Sequence, residues 1–184
     1  MGEAGRQRLN NLMGWLVFAF AAWVYCTTVE PTASFWDCPE FILCGYKLEV
    51  GHPPGAPFYM LLANAASQLA SDVSQVALMV NLLNALLSAA TIMFLYWTIT
   101  HLVSKIQQGF LLSMLCGLVG SLIYCFSDTF WFSAVEGEVY AFSSLMTALV
   151  FWLILKWDDH ADEPHSMESR NPCWILLTRW VMVQ

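Results

Sequence analysis

Two carboxylates early in the chain have a spacing that suits catalysis. Asp37 and Glu40 stand three residues apart in SFWDCPEF, and on a helix this spacing places both on one face. Beside Trp36 and Phe41, partial burial would raise a carboxylate pKa towards use as a general base. The same D-x-x-E pattern before an apolar run is also a helix capping box, with Asp37 as N-cap and Glu40 reaching back. The spacing leaves both interpretations open, and the apolar context favours a catalytic pair.

A lysine and a histidine follow this pair. Lys47 and His52 lie in GYKLEVGHPPGAPFY, where they could bind an anionic ligand together with free N–H groups at the start of a helix expected from Phe58. A snorkelling lysine and a turn histidine are the structural alternatives. Asp37, Glu40 and His52 also offer oxygen and imidazole ligands for a divalent cation. Two or three such ligands define no site, so we predict no metal or other cofactor, and a divalent cation stays an open alternative.

A second pair of acids lies about a hundred residues further on. Glu136 and Glu138 in FWFSAVEGEVYAFSS are two residues apart, so they cannot share a helical face but can flank one point of an extended loop. Glu138 directly precedes an apolar run, where its charge would complement a helix N-terminus. Glu136 has no such obvious structural role. The spacing alone leaves a functional role for Glu136 open.

The composition is that of a membrane protein. Hydrophobic residues make up 58% of the 184 residues and charged residues 11%, with a mean hydropathy of +0.57, whereas soluble domains are about 45 to 50% apolar and about 25% charged. The net charge of −7 and the lack of a clustered basic face argue against nucleic-acid binding. The six cysteines have neither CxxC nor zinc-type spacing and are interpreted as small buried thiols.

Uncharged runs of roughly 20 residues define the elements that must position these side chains. We predict an all-α, polytopic membrane protein that forms a single N-terminal transmembrane domain over residues 1–184. Four helices cross the bilayer and a fifth is truncated, at about 9–29, 76–101, 106–127, 139–157 and, in part, 172–184. The unfinished fifth stretch indicates a fragment of a longer protein; an interfacial helix that ends a small protein is the alternative.

The distribution of Lys and Arg gives the orientation. With a cytoplasmic N-terminus, five cations lie in inner segments and only Lys47 lies outside, so eight carboxylates in the loops 30–72 and 128–138 face the external compartment. The loop 30–72 is too apolar for disorder, and it divides at GHPPGAP into two segments, 37–48 and 58–70. Both segments are predicted as short surface helices, since neither is long enough to span.

Three blocks of the sequence resemble a known architecture. SFWDCPEF, GYKLEVGHPPGAPFY and FWFSAVEGEVYAFSSLMTALVFW are similar to the GT-C superfamily of polytopic glycosyltransferases. They look most like a bacterial membrane family, common in the Bacteroidetes lineage, that is related to the animal transmembrane protein O-mannosyltransferase. The resemblance covers about residues 9–157. It implies an integral protein of the bacterial inner membrane with periplasmic acidic loops, and transfer of a sugar, such as mannose, from a polyprenyl-phosphate carrier to a protein Ser or Thr hydroxyl.

The resemblance also implies roles for individual residues. By motif position Asp37 is the acid that acts as catalytic base or orients the acceptor, with Glu40 beside it to hold the acceptor or a divalent ion. An acid of the second loop, Glu136 or Glu138, supports the site, and the lysine and histidine of the first loop offset charge on the leaving phosphate. The full-length parent would carry further spans and a soluble C-terminal region, so this chain alone is expected to be inactive.

Two other functions are compatible with the same residues. A non-catalytic membrane protein, such as a transporter subunit or an assembly scaffold, would use the outer acids as helix caps and solvated charges. A lipid-modifying enzyme on the same membrane face would need no protein acceptor. An ion-coupled transporter fits less well, because no ionisable residue lies deep in the predicted spans.

Overall fold

The apolar runs form long helices in the computed structural model of the chain, which describes residues 2–53 and 55–161. The described part contains seven α-helices and one 3₁₀ turn: α1 (Glu3–Thr27), α2 (Cys38–Lys47), α3 (Pro57–Ser67), the 3₁₀ turn Val73–Gln75, α4 (Val76–Ile106), α5 (Phe110–Cys125), α6 (Asp128–Ala134) and α7 (Val139–Ala161). No strand occurs among these residues. The all-α prediction is therefore confirmed for the described part.

Among the residues that the structure describes, three helical segments are long and apolar enough to cross a membrane, namely Glu3–Thr28, Val73–Ile106 and Val139–Asp159. The predicted third span, 106–127, is different in the structure. Its helix α5 has only 16 residues, which reach about 24 Å against a hydrocarbon core of about 30 Å. A 70° bend then leads into α6, so the described residues contain three candidate spans, or four if α5 and α6 together are counted as one broken span. The predicted partial span 172–184 lies outside the described residues.

Helix α4 is the centre of the fold, because it packs against α1, α5 and α7. Small side chains allow the close approach: Ala21 of α1 and Ala85 and Ala89 of α4 are fully buried. At Gly14 of α1 the indole of Trp97 lies directly on the backbone, and an added Cβ would come within 2.1 Å of its Nε1. These contacts hold α1 and α4 side by side.

Helices α2 and α3 form a short hairpin over one end of α4. They lie at the positions predicted for the two surface helices, and proline in the first turn of each helix helps to start it. Asn64 donates its side-chain N–H groups to the carbonyls of Gly45 and Tyr46, both at 3.0 Å. Leu48 ends α2 in the left-handed conformation, at φ 54°. This turn directs the chain back along α2.

At the opposite end of α4, Lys105 forms ion pairs with two aspartates of α7. Lys105 Nζ lies 2.9 Å from Asp158 Oδ2 and 3.2 Å from Asp159 Oδ1 of α7. These ion pairs join α4 to α7 at the end away from the α2–α3 hairpin. Lys105 and the clustered acids of the two loops are therefore at opposite ends of the bundle.

Candidate active site where the two loops meet

Glu40 and His52 form a close pair in the first loop. One carboxylate oxygen of Glu40 accepts the backbone N–H of His52 at 2.6 Å, and the other lies 3.0 Å from the ring Nδ1. The ring Nε2 then faces Asp37, with 3.9 Å to Oδ2. The three side chains are 39 to 55% exposed, so a ligand can reach them. The structure thus brings together three of the residues that the sequence singled out.

The pairing changes the proton affinity of both partners. Hydrogen bonds from the backbone and ring of His52 lower the pKa of Glu40, and the positive charge of the ring adds to this effect. The hydrogen bond to Glu40 raises the pKa of His52, followed by the charges of Glu40 and Asp37. The expected rise in carboxylate pKa from partial burial is wrong for Glu40, because its hydrogen bonds outweigh desolvation.

The capping-box interpretation is wrong as well. Asp37 occupies the N-cap position of α2, but its side chain makes no capping hydrogen bond. Glu40 cannot reach back to it because its carboxylate binds His52. Trp36, directly before Asp37, has φ 64°, a strained conformation for a bulky residue, and is 86% exposed. Because the carboxylate of Asp37 makes no capping hydrogen bond and is exposed, it is available for a ligand.

Lys47 lies apart from this cluster. It is exposed in the last turn of α2, seven residues after Glu40, which places its Cα about 10 Å further along the helix axis. Its charge complements the C-terminal end of the helix dipole. The structure thus gives Lys47 a local role and does not bring it to His52.

The acids of the second loop are buried. Glu136 is 2% and Glu138 is 7% exposed, and both lie between α6 and α7. Burial raises the pKa of Glu138 to about 6, with smaller contributions from the negative charges of Glu136 and Asp37. Burial likewise raises the pKa of Glu136. The desolvated carboxylates are therefore those of the second loop. Glu138 also lies near enough to Asp37 for their charges to interact.

Two asparagines of α4, which the sequence reasoning missed, join the loops. Asn84 donates its side-chain N–H groups to the carbonyls of Glu136 and Glu138, both at 2.6 Å, and its own carbonyl accepts the Tyr59 hydroxyl at 3.0 Å. Asn81, one turn earlier, donates to the carbonyl of Glu30 at 2.7 Å and to that of Thr32 at 2.9 Å. Both asparagines are fully buried. The sequence could have indicated this role, because two amide side chains stand three residues apart in an uncharged span, and buried polar groups in such helices need hydrogen-bond partners.

Cys38 and Gly137 complete the contact between the loops. The thiol of Cys38 is fully buried, and the backbone of Ser34 and of Gly137 lies close enough to interact with it. Position 137 is tightly packed, since an added Cβ would lie 2.9 Å from Asn81 Oδ1 and 3.1 Å from Ile42 Cγ1, and these side chains would have to shift. The absence of a side chain lets the second loop lie directly on α2 and α4.

A divalent cation has one candidate site among the described residues. Asp37, Glu40 and His52 each offer a ligand atom, and these atoms lie within 4.8 Å of one another. Mixed oxygen and imidazole donors suit several divalent metals. Because both oxygens of Glu40 already bind His52, Asp37 and the Nε2 of His52 are the atoms free to take such an ion, with Glu40 holding the ring from behind.

Comparisons with known proteins agree with one part of the resemblance in the sequence, the relation to protein O-mannosyltransferases. A family model described as the protein O-mannosyl-transferase TMEM260 N-terminal domain matches residues 37–183. The protein O-mannosyl-transferase TMEM260 of Mus musculus is 30% identical over 157 residues, which cover 85% of this chain and 21% of that protein. The protein O-mannosyl-transferase tmem260 of Dictyostelium discoideum is 25% identical over 139 residues, which cover 75% of this chain and 16% of that protein.

The match to these relatives is confined to part of their length. The chain spans about a fifth of the mouse protein and about a sixth of the Dictyostelium protein. No solved structure matches the chain. Because the family model covers well over half of the chain and includes both acidic loops, the chain belongs to the family of the protein O-mannosyl-transferase TMEM260 N-terminal domain.

Proposed function

We propose that this chain is the N-terminal membrane part of a glycosyltransferase that modifies proteins. The names of its relatives, protein O-mannosyl-transferases, support this class of reaction. The proposed donor is a hexose, such as mannose, on a polyprenyl-phosphate carrier, as in the GT-C superfamily, and the proposed acceptor is a Ser or Thr hydroxyl. The observation that carries the proposal is that the Asp37 carboxylate faces the exposed His52, 3.9 Å from its Nε2, and is close enough to the buried Glu138 for their charges to interact.

Asp37 is the proposed base of the transfer. A carboxylate oxygen takes the proton of the acceptor hydroxyl while the hydroxyl oxygen forms a bond to the anomeric carbon of the sugar. The bond between that carbon and the phosphate oxygen breaks, and its electron pair leaves with the carrier phosphate. Asp37 suits this role because its side chain is 55% exposed and makes no capping hydrogen bond.

The neighbours of Asp37 have supporting roles in this proposal. His52, held by Glu40 and with a raised pKa, supplies positive charge that offsets the charge developing on the phosphate. Glu138, once ionised, supplies negative charge that favours the positive character of the anomeric carbon in the transition state. Glu40 thus acts by positioning His52, in place of the acceptor contact that the sequence suggested.

The site is proposed to face the external side of the membrane. The loops that form it lie at one end of α4, and the cations Lys105 and Lys156 lie towards the other end of the bundle. Segments rich in Lys and Arg stay in the cytoplasm. In a bacterial cell the site would then lie on the periplasmic side of the inner membrane.

The test is Asp37→Asn in the complete reading frame that encodes this chain. Membranes that contain the variant are incubated with labelled polyprenyl-phosphate mannose, and protein and lipid products are separated. We expect no transfer to protein, with normal expression and membrane insertion. Asp72→Asn is the matched control, because Asp72 lies in the same loop and only accepts the backbone N–H of Ser74, a cap that asparagine can keep. Transfer retained by Asp37→Asn would overturn the proposal.

The same assay separates the alternative functions. A lipid-modifying enzyme would place the label in lipid products and leave protein unlabelled. A transporter subunit or scaffold would transfer no label in the parent protein under any donor.

A further inference from the structure

An open cavity of about 480 Å³ lies between the first and second loops, on the side of Glu136. Its size is within the range of pockets that bind small ligands or short segments. The side chains that define its chemistry are Glu30, Thr32, Ser34, Phe35, Phe132 and Glu136. The proposed mechanism uses none of them.

Glu136 is an incompletely bonded carboxyl group at this cavity. The Ser34 hydroxyl donates a hydrogen bond to Oε2, whereas Oε1 is buried and has no hydrogen-bond partner among the described residues. Only 2% of the residue is exposed. Buried polar atoms are normally paired, so the unpaired Oε1 of a residue that lines a cavity is a candidate for pairing with a bound ligand.

The lining restricts the chemistry of that ligand. Two carboxyl groups and no Lys, Arg or His line the cavity, so the phosphate of a lipid-linked donor would be repelled. Phe35 and Phe132, which are 82% and 54% exposed, offer apolar contact at the rim. The best match is a chain that carries hydrogen-bond donors together with apolar groups, and that is neutral or positively charged.

The cavity is within reach of the proposed base. Ser34, which lines it, precedes Asp37 by three residues, and three residues span at most about 10 Å. A segment that occupies the cavity can therefore continue to the carboxylate of Asp37. A polypeptide has the required N–H groups, side chains and length.

We propose that this cavity binds the polypeptide acceptor, and that Oε1 of Glu136 accepts a hydrogen bond from a backbone N–H next to the modified Ser or Thr. The inference rests on the proposed function, because it presumes a protein acceptor. It makes Glu136 an acceptor-binding residue, separate from the base Asp37 and the phosphate-facing His52.

The first test measures steady-state kinetics of Glu136→Ala in the full-length protein, with a neutral Ser/Thr-containing peptide and polyprenyl-phosphate mannose. Loss of one hydrogen bond to a carboxylate should raise the KM for the peptide about tenfold or more. The KM for the donor should stay unchanged. Glu49→Ala, which removes an exposed acid outside the cavity, is the matched control. An altered donor KM with an unaltered peptide KM would overturn the proposal and identify a donor site.

The second test does not require transfer or the integrity of Glu136. A photo-crosslinking phenylalanine analogue replaces Phe132 at the rim, in the Asp37→Asn background, and a biotinylated neutral peptide is the probe. We expect crosslinking that unlabelled peptide competes away and that an acidic version of the peptide reduces by about tenfold. Equal capture of neutral and acidic peptides, or none, would overturn the acceptor site. Because the base is already absent, this result is independent of whether Asp37 performs the proposed chemistry.

Discussion

The carboxylate of Glu40 holds His52, twelve residues further along the chain, by two hydrogen bonds at 2.6 and 3.0 Å. The turn after α2 makes this possible, because Leu48 in the left-handed conformation sends the chain back towards the start of the helix. With Nδ1 and the backbone N–H engaged, the ring has only Nε2 left to face Asp37 and a substrate. The orientation and the charge of His52 therefore depend on Glu40.

Glu40→Gln should shift the alkaline limb of the pH profile for transfer to lower pH. The carboxylate raises the pKa of His52, so its removal lets the imidazolium lose its proton at a lower pH than in the parent protein. Once His52 has lost its proton, kcat/KM should be lower by about a hundredfold than in the protein with a protonated His52. The measurement is kcat/KM for sugar transfer across the pH range. Glu49→Gln, an exposed acid of the same loop, should keep the parent profile; coincident profiles for all three proteins would contradict this role of Glu40.

Asn84→Leu should destabilise the fold more than Ser88→Ala, a substitution on the same helix. It removes the donors for two buried carbonyls, those of Glu136 and Glu138, and leaves the Tyr59 hydroxyl without its acceptor. The expected loss of unfolding free energy is about 2 to 4 kcal/mol, measured by denaturation of the detergent-solubilised protein. Ser88→Ala is the control, because Ser88 Oγ is buried one turn later without a partner in the described structure. Equal midpoints for the two variants would argue against a stabilising role for the hydrogen bonds of Asn84.

The length and apolarity of the runs were enough to predict the helices. Backbone groups in a membrane must be satisfied within the segment, so an uncharged run of the right length has few alternatives to a helix. The α2–α3 hairpin could be predicted for a similar reason, since GHPPGAP interrupts two apolar segments that are too short to span. The 70° bend between α5 and α6 could not, because Asp128 ends the uncharged run and marks only the start of the loop 128–138, and nothing in the pattern predicts the short helix that follows.

The site was harder to predict because its contacts are distant in sequence. The D-x-x-E spacing is a local rule, yet the partner of Glu40 is His52 across a turn. The burial of Glu136 and Glu138 depends on Asn84 of α4, more than fifty residues earlier. Side-chain types could indicate that these acids matter, but only the packing of α4 decides which of them are desolvated.

Gly137→Ala should push the second loop away from α4. The new Cβ would lie 2.9 Å from Asn81 Oδ1 and 3.2 Å from Val80 Cγ1, and both neighbours belong to a packed helix. Overpacking of this kind costs about 1 to 3 kcal/mol, and transfer should fall with it because Glu136 and Glu138 flank the position. Thermal unfolding and transfer are measured together. Gly2→Ala serves as the control, since a Cβ there meets nothing within 4 Å; a Gly137→Ala protein with the stability and activity of this control would show that the loop has room.

Glu138→Gln should remove a pH dependence of stability. Burial raises the pKa of Glu138 in the folded protein from its ordinary 4.5 to about 6. The folded state therefore binds this proton more tightly than the unfolded state, so the associated stability is present below pH 4.5 and is lost as the pH rises through 6. A difference of this size corresponds to about 2 kcal/mol. Unfolding midpoints between pH 4 and 8 should fall for the parent protein and for Glu49→Gln, an exposed control, but less for Glu138→Gln. Parallel curves for all three would mean that Glu138 titrates normally and that its burial is relieved in solution.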